Sequence, residues 1–175
     1  ADIVSDIMTA MGMSANEAGR AADVFAKAAT SSNTTIEMLG ETLKYAAPIA
    51  YSFGMSLENV TAIAGMMANA GIKGSMAGTA IRSSLMSMAA PSAEAAKIMK
   101  ELGLSFSNTD GSMRNMADIV RNLEESFAGL TEQQRLSYAE TLFGTYGSSA
   151  WLGVISQGAD AYENFATSLD NAAGS

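Results

Sequence analysis

The stretch from 42 to 93 constrains the fold most, because it carries almost no charge. Its only charged residues are Lys44, Glu58, Lys73 and Arg82. Two segments with apolar residues at three- and four-residue spacing flank a glycine-rich corner, a pattern typical of two amphipathic helices joined by a tight turn. We expect the rest of the chain to be arranged around this pair.

The first of these helices is predicted to begin after Ser56, whose hydroxyl can accept a hydrogen bond from a free N–H of the first turn. It is predicted to end at Ala70-Gly71, because glycine tolerates the left-handed conformation of a C-terminal cap. Its inward face would carry Leu57, Val60, Ile63, Ala64 and Met67.

The second helix is rich in small residues, and we expect Ser75 to cap it and Pro91 to stop it. Its buried face would carry Ala77, Ala80, Ile81, Leu85 and Met88. Gly78 inside a helix costs about 1 kcal/mol relative to alanine, so a close contact should compensate. Two interpretations stay open: a close crossing of two helices within the chain, or a contact surface for another subunit.

The corner also has a distinctive sequence. The first helix ends in Asn69-Ala70-Gly71-Ile72-Lys73-Gly74-Ser75, and after Met76 the chain continues Ala77-Gly78-Thr79-Ala80-Ile81-Arg82. This run resembles the signature of the core region of phage tail tape measure proteins, in which leucine is more usual at the position of Ile81. Shorter elements elsewhere agree with the same family: Thr35 to Gly40, Gly54 to Glu58, Leu102 to Leu104, Leu142 to Gly144, and a C-terminal helix with Tyr162.

The resemblance implies a structural role. Such proteins run along the lumen of the tail tube, set its length during assembly and leave the tail when DNA is delivered. The partners implied are tail tube and tail-tip proteins and tail-assembly chaperones, and the location is the virion tail lumen, with the host cytoplasm during assembly of a phage or prophage. Residues 1–175 would be one helical domain of a much longer protein. The structural and interaction motif would comprise Asn69, Gly71, Lys73, Gly74, Ser75, Ala77, Gly78, Thr79 and Arg82.

Composition favours helices over strands, because Ala, Met, Leu, Glu and Ser dominate the chain. We therefore predict an all-α fold, a compact domain of about eight to ten short helices. The sequence at 108–111 is a strong turn signal, which makes one small β-hairpin plausible near residues 104–113. Helix N-termini are predicted at the capping-box spacings Ser14–Glu17, Thr34–Glu37 and Thr131–Gln134, and at Ser92 after Pro91. A short helix is predicted between Gly147 and Gly158. Pro48 should kink or restart its helix near Ala47.

The net charge of −8 and the pI of about 4.4 argue against two classes of partner. Nucleic-acid binding needs a basic face, and attachment to anionic lipid needs basic segments. The longest uncharged segment, 141–159, contains four glycines and Gln157. A spanning helix needs about 20 predominantly apolar residues. We therefore expect no nucleic acid and no membrane contact by this chain.

Catalysis is not indicated, since the chain has no His and no Cys. Their absence removes the commonest bases, nucleophiles and metal ligands, so we expect no catalytic residues, metal or cofactor. Glu58, Glu124 and Glu125 are predicted to be solvated surface carboxylates. Lys73 and Arg82 either extend to water or bind helix-terminal carbonyls or a partner's carboxylate.

Two alternatives to a tail protein are a helical protein-binding or secretion-associated module, and a helical glycan hydrolase, which would need an acidic residue in a cleft. We also expect self-association through an apolar face, with a monomer as the competing outcome in which the same methionines fill the core. The methionines proposed for that face are Met66, Met67, Met76, Met86 and Met88.

Overall fold

Helices account for the regular structure of this chain in a computed structural model that describes residues 2–174, apart from the side chain of Asp2. They are α1 (Asp2–Ala10), α2 (Ala18–Ser31), α3 (Ile36–Ser52), α4 (Leu57–Asn69), α5 (Gly74–Ala89), α6 (Ala93–Leu102), α7 (Met116–Phe127), α8 (Glu132–Gln157) and α9 (Ala159–Asp170), with a 3-10 turn at Ala15–Glu17. Within residues 2–174 no strand forms, and the prediction of an all-α fold is confirmed.

Helix α4 occupies the centre of the fold. Every residue from Val60 to Ala68 is buried, because α2, α3, α5, α8 and α9 all pack against this helix. A helix that is apolar on all sides gains most by complete burial. The low charge of α4 therefore follows from its position, since each turn faces protein rather than water.

Three helix starts lie where the sequence predicts them. The side chains of Ser56, Ser92 and Thr131 each accept a hydrogen bond from a first-turn N–H at 3.1 Å. Thr131 forms a complete capping box with Gln134. At α3 the cap is Thr35 rather than Thr34, and the hydroxyl of Thr35 accepts from the N–H of Met38 at 3.1 Å.

Three local predictions were wrong. Ser14 does not cap a helix, because its hydroxyl donates to the side chain of Asn16 and a 3-10 turn precedes α2. The restart predicted near Ala47 does not occur, since α3 continues as one helix from Ile36 to Ser52 through Pro48. The short helix predicted between Gly147 and Gly158 starts earlier: the break lies at Gly144 (φ 78°, ψ 175°), and α8 resumes directly after it.

The predicted hairpin is reduced to a polar turn with one antiparallel bridge, between Ser107 and Met113. Asn122 of α7 holds this turn from the side. Its Oδ1 accepts from the N–H of Ser105 at 3.1 Å and from Nη1 of Arg114 at 2.9 Å, and its Nδ2 donates to the carbonyl of Gly103 at 3.1 Å. These bonds fix the connection between α6 and α7 without a sheet.

The methionines proposed for a self-association face divide into two groups. Met66, Met67 and Met88 are core residues with at most 1% of their surface exposed, so their assignment to an outer face was wrong. Met76 and Met86, in contrast, are 71% and 51% exposed on α5.

No helix within residues 2–174 combines the length and apolar character needed to cross a membrane.

Candidate interaction site at the glycine corner

The corner between α4 and α5 begins with a Schellman motif, the hydrogen-bonded cap that closes many helices at a glycine. The N–H of Ile72 donates to the carbonyl of Met67 and the N–H of Gly71 donates to the carbonyl of Ala68, both at 2.9 Å. Gly71 has φ +89°, a conformation that side chains rarely tolerate. The predicted end of the first helix is confirmed.

The start of α5 differs from the prediction. The helix begins at Gly74, with Lys73 as an N-cap that forms no side-chain cap bond. Gly74 turns the chain directly into the helix at φ +65°, so Ser75 already lies inside α5 and the prediction that it caps the helix was wrong. The carbonyl of Gly74 is instead bound from the side, 2.8 Å from the hydroxyl of Thr42 on α3.

The small residues of α5 form a close crossing with α3. Ala77 and Gly78 are buried. A Cβ added to Gly78 would lie 2.5 Å from the carbonyl oxygen of Thr42 and 3.0 Å from Cβ of Tyr45. Only the absence of a side chain lets the two backbones approach this closely, and overfilling such a contact is destabilising. Of the two interpretations, the crossing within the chain is the one that the structure contains.

Asn69 and Lys73 attach the corner to the loop after α2. The N–H of Asn33 donates to Oδ1 of Asn69 at 2.8 Å, and Nζ of Lys73 donates to the carbonyl of Asn33 at 3.3 Å. Gln157, at the end of α8, reaches the same corner and donates from Nε2 to the carbonyl of Met66 at 2.7 Å. Lys73 thus binds the carbonyl of a loop residue, which neither of the alternatives predicted for it includes.

The remaining motif residues point away from the core. Ser75, Thr79 and Arg82 are exposed on α5. The side chain of Arg82 forms no hydrogen bond or ion pair with any residue between 2 and 174. The motif is therefore divided: six residues shape or fasten the corner, and these three lie on the outer side of α5.

The prediction for Glu58 was wrong, because this carboxylate is buried. Nε and Nη2 of Arg20 on α2 donate to its two oxygens at 2.8 and 2.9 Å, a bidentate pair that joins α2 to α4. Burial is the largest single influence on the pKa of Glu58 and would raise it. The hydrogen bonds from Arg20, a backbone hydrogen bond and the positive charge of Arg20 together outweigh burial and hold the pKa below its ordinary value. Burial and the charge of Glu58 raise the pKa of Asp170 on α9.

Glu124 also has a structural contact that the sequence analysis missed. It is half-buried, and its Oε1 accepts from the N–H of Ala159 at 3.3 Å, at the start of α9. Glu125 is exposed, as predicted. The spacing of these residues along the chain does not indicate the contacts, because Arg20 precedes Glu58 by 38 residues and Ala159 follows Glu124 by 35 residues.

Across residues 2–174, no three or more His, Cys, Asp or Glu side chains are grouped closely enough to hold a metal ion.

Comparison with known proteins identifies the family. Residues 1–144 match the family described as phage-related minor tail protein. The chain is 38% identical over 173 residues to the tape measure protein of Pneumococcus phage Dp-1, an alignment that covers 99% of this chain and 15% of that protein. It is 32% identical over 152 residues to a probable tape measure protein of Escherichia phage P2, covering 86% of this chain and 19% of that protein.

The chain thus spans less than one fifth of the length of either relative. No solved structure matches it significantly. The resemblance seen in the corner sequence agrees with both relatives and with the family match. The chain belongs to the phage tail tape measure family of phage-related minor tail proteins.

Proposed function

We propose that residues 1–175 form one helical domain of a longer tape measure protein and act as a structural component of a phage or prophage tail. The observation that carries the proposal is the alignment of 99% of the chain with the tape measure protein of phage Dp-1. The site geometry agrees with a structural role, since the corner motif is used mainly for packing. The motif residues would maintain the fold of this domain.

The whole protein, on this proposal, sets tail length during assembly, occupies the lumen of the tail and is released when DNA is delivered. Its partners would be tail tube and tail-tip proteins, and tail-assembly chaperones while it is still in the host cytoplasm. The names of the two relatives support the part in length measurement. The location and the partners are what the family resemblance implies.

The compact fold supports a small contribution of this domain to the length that the parent protein measures. A straight helix of 175 residues would span about 260 Å at 1.5 Å per residue. A folded domain of the same size has a radius of gyration of about 16 Å, so it adds about 40 Å to a ruler. The length itself would then be carried by segments outside residues 1–175.

The test is an in-frame deletion of the domain from the parent gene, with tails measured by electron microscopy. We expect assembly to fail, or the tails to shorten by about 40 Å rather than by about 260 Å. Normal tail length and normal infectivity without the domain would contradict the proposal. A shortening by about 260 Å would agree with a role in the tail but would contradict the proposal that the domain is compact there.

We also propose that the domain has no catalytic activity. The chain lacks His and Cys. Within residues 3–174 the one buried carboxylate is Glu58, which accepts hydrogen bonds from Arg20, and the half-buried Glu124 accepts one from Ala159. Purified chain incubated with peptidoglycan should release no soluble fragments. Release that disappears in a Glu124→Gln variant would contradict the proposal.

A further inference from the structure

The outer side of α5 is exposed although α5 lies between α3 and α8 in the centre of the fold. Its exposed residues recur at helical spacing and are Ser75, Met76, Thr79, Arg82, Met86 and Ala89. Met76 is 71% exposed and Met86 is 51% exposed. Because the packing of α5 uses its other residues, nothing in the fold accounts for two large apolar side chains in water here.

Two grooves border this side of α5. The groove toward α8 is lined by Ile72, Ser75, Met76, Thr79, Tyr146 and Ser149. Tyr146 lies two residues after the break at Gly144 and is 73% exposed. The groove toward α3 is lined by Lys44, Tyr45, Pro48, Ile49 and Arg82. We call α5 with its two bordering grooves the α5 face.

The charge of the α5 face is opposite to that of the whole chain. Its charged residues are Lys44 and Arg82, and no carboxylate lines either groove, whereas the chain carries a net charge of −8. Neither cation forms an ion pair with a described residue, and Nζ of Lys44 lies 5.8 Å from the ring centre of Tyr45. Lys44 also lines a third groove, between α1 and α3, which contains the carboxylates of Asp6 and Glu41, but it forms no ion pair with either of them.

A second copy of the chain does not fit this charge pattern. A two-fold contact across the α5 face would bring Arg82 and Lys44 of one copy close to the same residues of the other. Like charges placed opposite each other are unfavourable, and neither groove supplies a carboxylate to compensate. The apolar residues favour an occupant with apolar side chains, and the two cations favour an occupant with carboxylates.

We propose that the α5 face binds an acidic amphipathic α-helix of a different protein. Such a helix would place apolar residues against Met76 and Tyr146 and carboxylates toward Arg82 and Lys44. Helices laid in grooves are recognised through apolar anchors at i, i+3 or i+4 and i+7, with charges fixing orientation and partner choice. The α5 face would bind this class of helix whether or not the parent protein sets tail length.

The test uses two fluorescein-labelled helical peptides of about 20 residues with the same apolar anchors. One carries Glu and the other carries Lys at the positions that flank the anchors. Binding to the chain is measured by fluorescence anisotropy at low salt. We expect the Glu peptide to bind at least about tenfold more tightly than the Lys peptide, with a preference that weakens as salt rises.

Two variants of the α5 face locate the binding site. Arg82→Glu should weaken binding of the Glu peptide about fivefold and narrow its advantage over the Lys peptide. Met76→Ser should weaken both peptides. The matched controls are Lys27→Glu on α2 and Leu136→Ser on α8, which change an exposed cation and an exposed apolar residue elsewhere and should leave binding unchanged. Circular dichroism establishes that all four variants are folded.

Four outcomes would overturn the proposal. They are equal binding of the two peptides, no binding at about 1 mM peptide, full binding by Arg82→Glu, and an equal loss in the matched controls. Sedimentation velocity tests the remaining alternative. A dimer of the unmodified chain that dissociates in Met76→Ser would assign the α5 face to a second copy instead.

Discussion

The crossing of α3 and α5 and the polar turn between α6 and α7 are held together by opposite means. At the crossing, backbones approach because Gly78 has no side chain, and few polar groups take part. At the turn, side chains bind exposed main-chain groups, and the amide of Asn122 binds two of them, the N–H of Ser105 and the carbonyl of Gly103. The difference shows that steric fit determines the centre of this domain, whereas local hydrogen bonds determine its edge.

The largest effect should follow from overfilling the crossing. Gly78→Leu places carbon atoms where the Thr42 carbonyl already lies, and we expect a loss of about 3 kcal/mol in the free energy of unfolding. The matched control is Gly19→Leu in α2, where an added Cβ meets nothing within 4 Å. That change should be neutral or stabilising by about 0.5–1 kcal/mol, since leucine favours helix over glycine. Urea denaturation measures both; equal effects would mean that the crossing is not close-packed.

A smaller effect should follow from the buried ion pair in the same central region. Glu58→Gln keeps the shape of the side chain but removes the charge that Arg20 binds. We expect a loss of about 1–2 kcal/mol at pH 7, limited because Arg20 is partly exposed to water. Thermal denaturation at several pH values measures it.

The pH dependence of this loss has a definite sign. Because the pKa of Glu58 is lowered in the folded chain, its stabilisation is present above about pH 4.3 and is lost as the pH falls through the folded-state value. The difference in free energy of unfolding between the unmodified chain and Glu58→Gln should therefore shrink in acid.

Asp170 has a raised pKa, so Asp170→Asn should stabilise the chain at pH 7 and lose this benefit in acid. The same sign for both variants would contradict this assignment.

The smallest effect should come from the edge. Asn122→Ala removes the amide that binds the turn, and we expect a loss of about 1 kcal/mol with the rest of the fold unchanged. Asn164→Ala is the matched control, because Asn164 lies exposed on α9 and its side chain forms no hydrogen bond with any residue between 2 and 174. Chemical denaturation of the two variants should separate them. If Asn122→Ala lowered the free energy of unfolding by more than Gly78→Leu does, the turn rather than the crossing would contribute more to stability, contrary to this account.

The sequence predicted what depends on neighbours along the chain. Ser56, Ser92 and Thr131 cap their helices because capping involves residues only two or three positions away. Gly71 ends α4 for the same local reason. The family signature at the corner was visible for a similar reason, since it is one nearly continuous run of residues.

The sequence could not predict what depends on distant partners. Glu58 was assigned to the surface because Arg20, which binds it, lies 38 residues earlier. Met66 was assigned to an outer face because helical periodicity gives α4 one buried side, whereas five helices enclose it. The outward position of Arg82 likewise depends on where α3 and α8 pack.

Native-state hydrogen exchange tests most directly the claim that steric fit at the crossing organises the domain. We expect the amides of α4 and α5 between Val60 and Met88 that are bonded within their helices to exchange only through global unfolding, at the full free energy of unfolding. The bonded amides of Ser105, Asn108 and Arg114 should exchange through a local opening of lower free energy. If the α5 amides instead open before those of the turn, the crossing is not the stable centre of this fold.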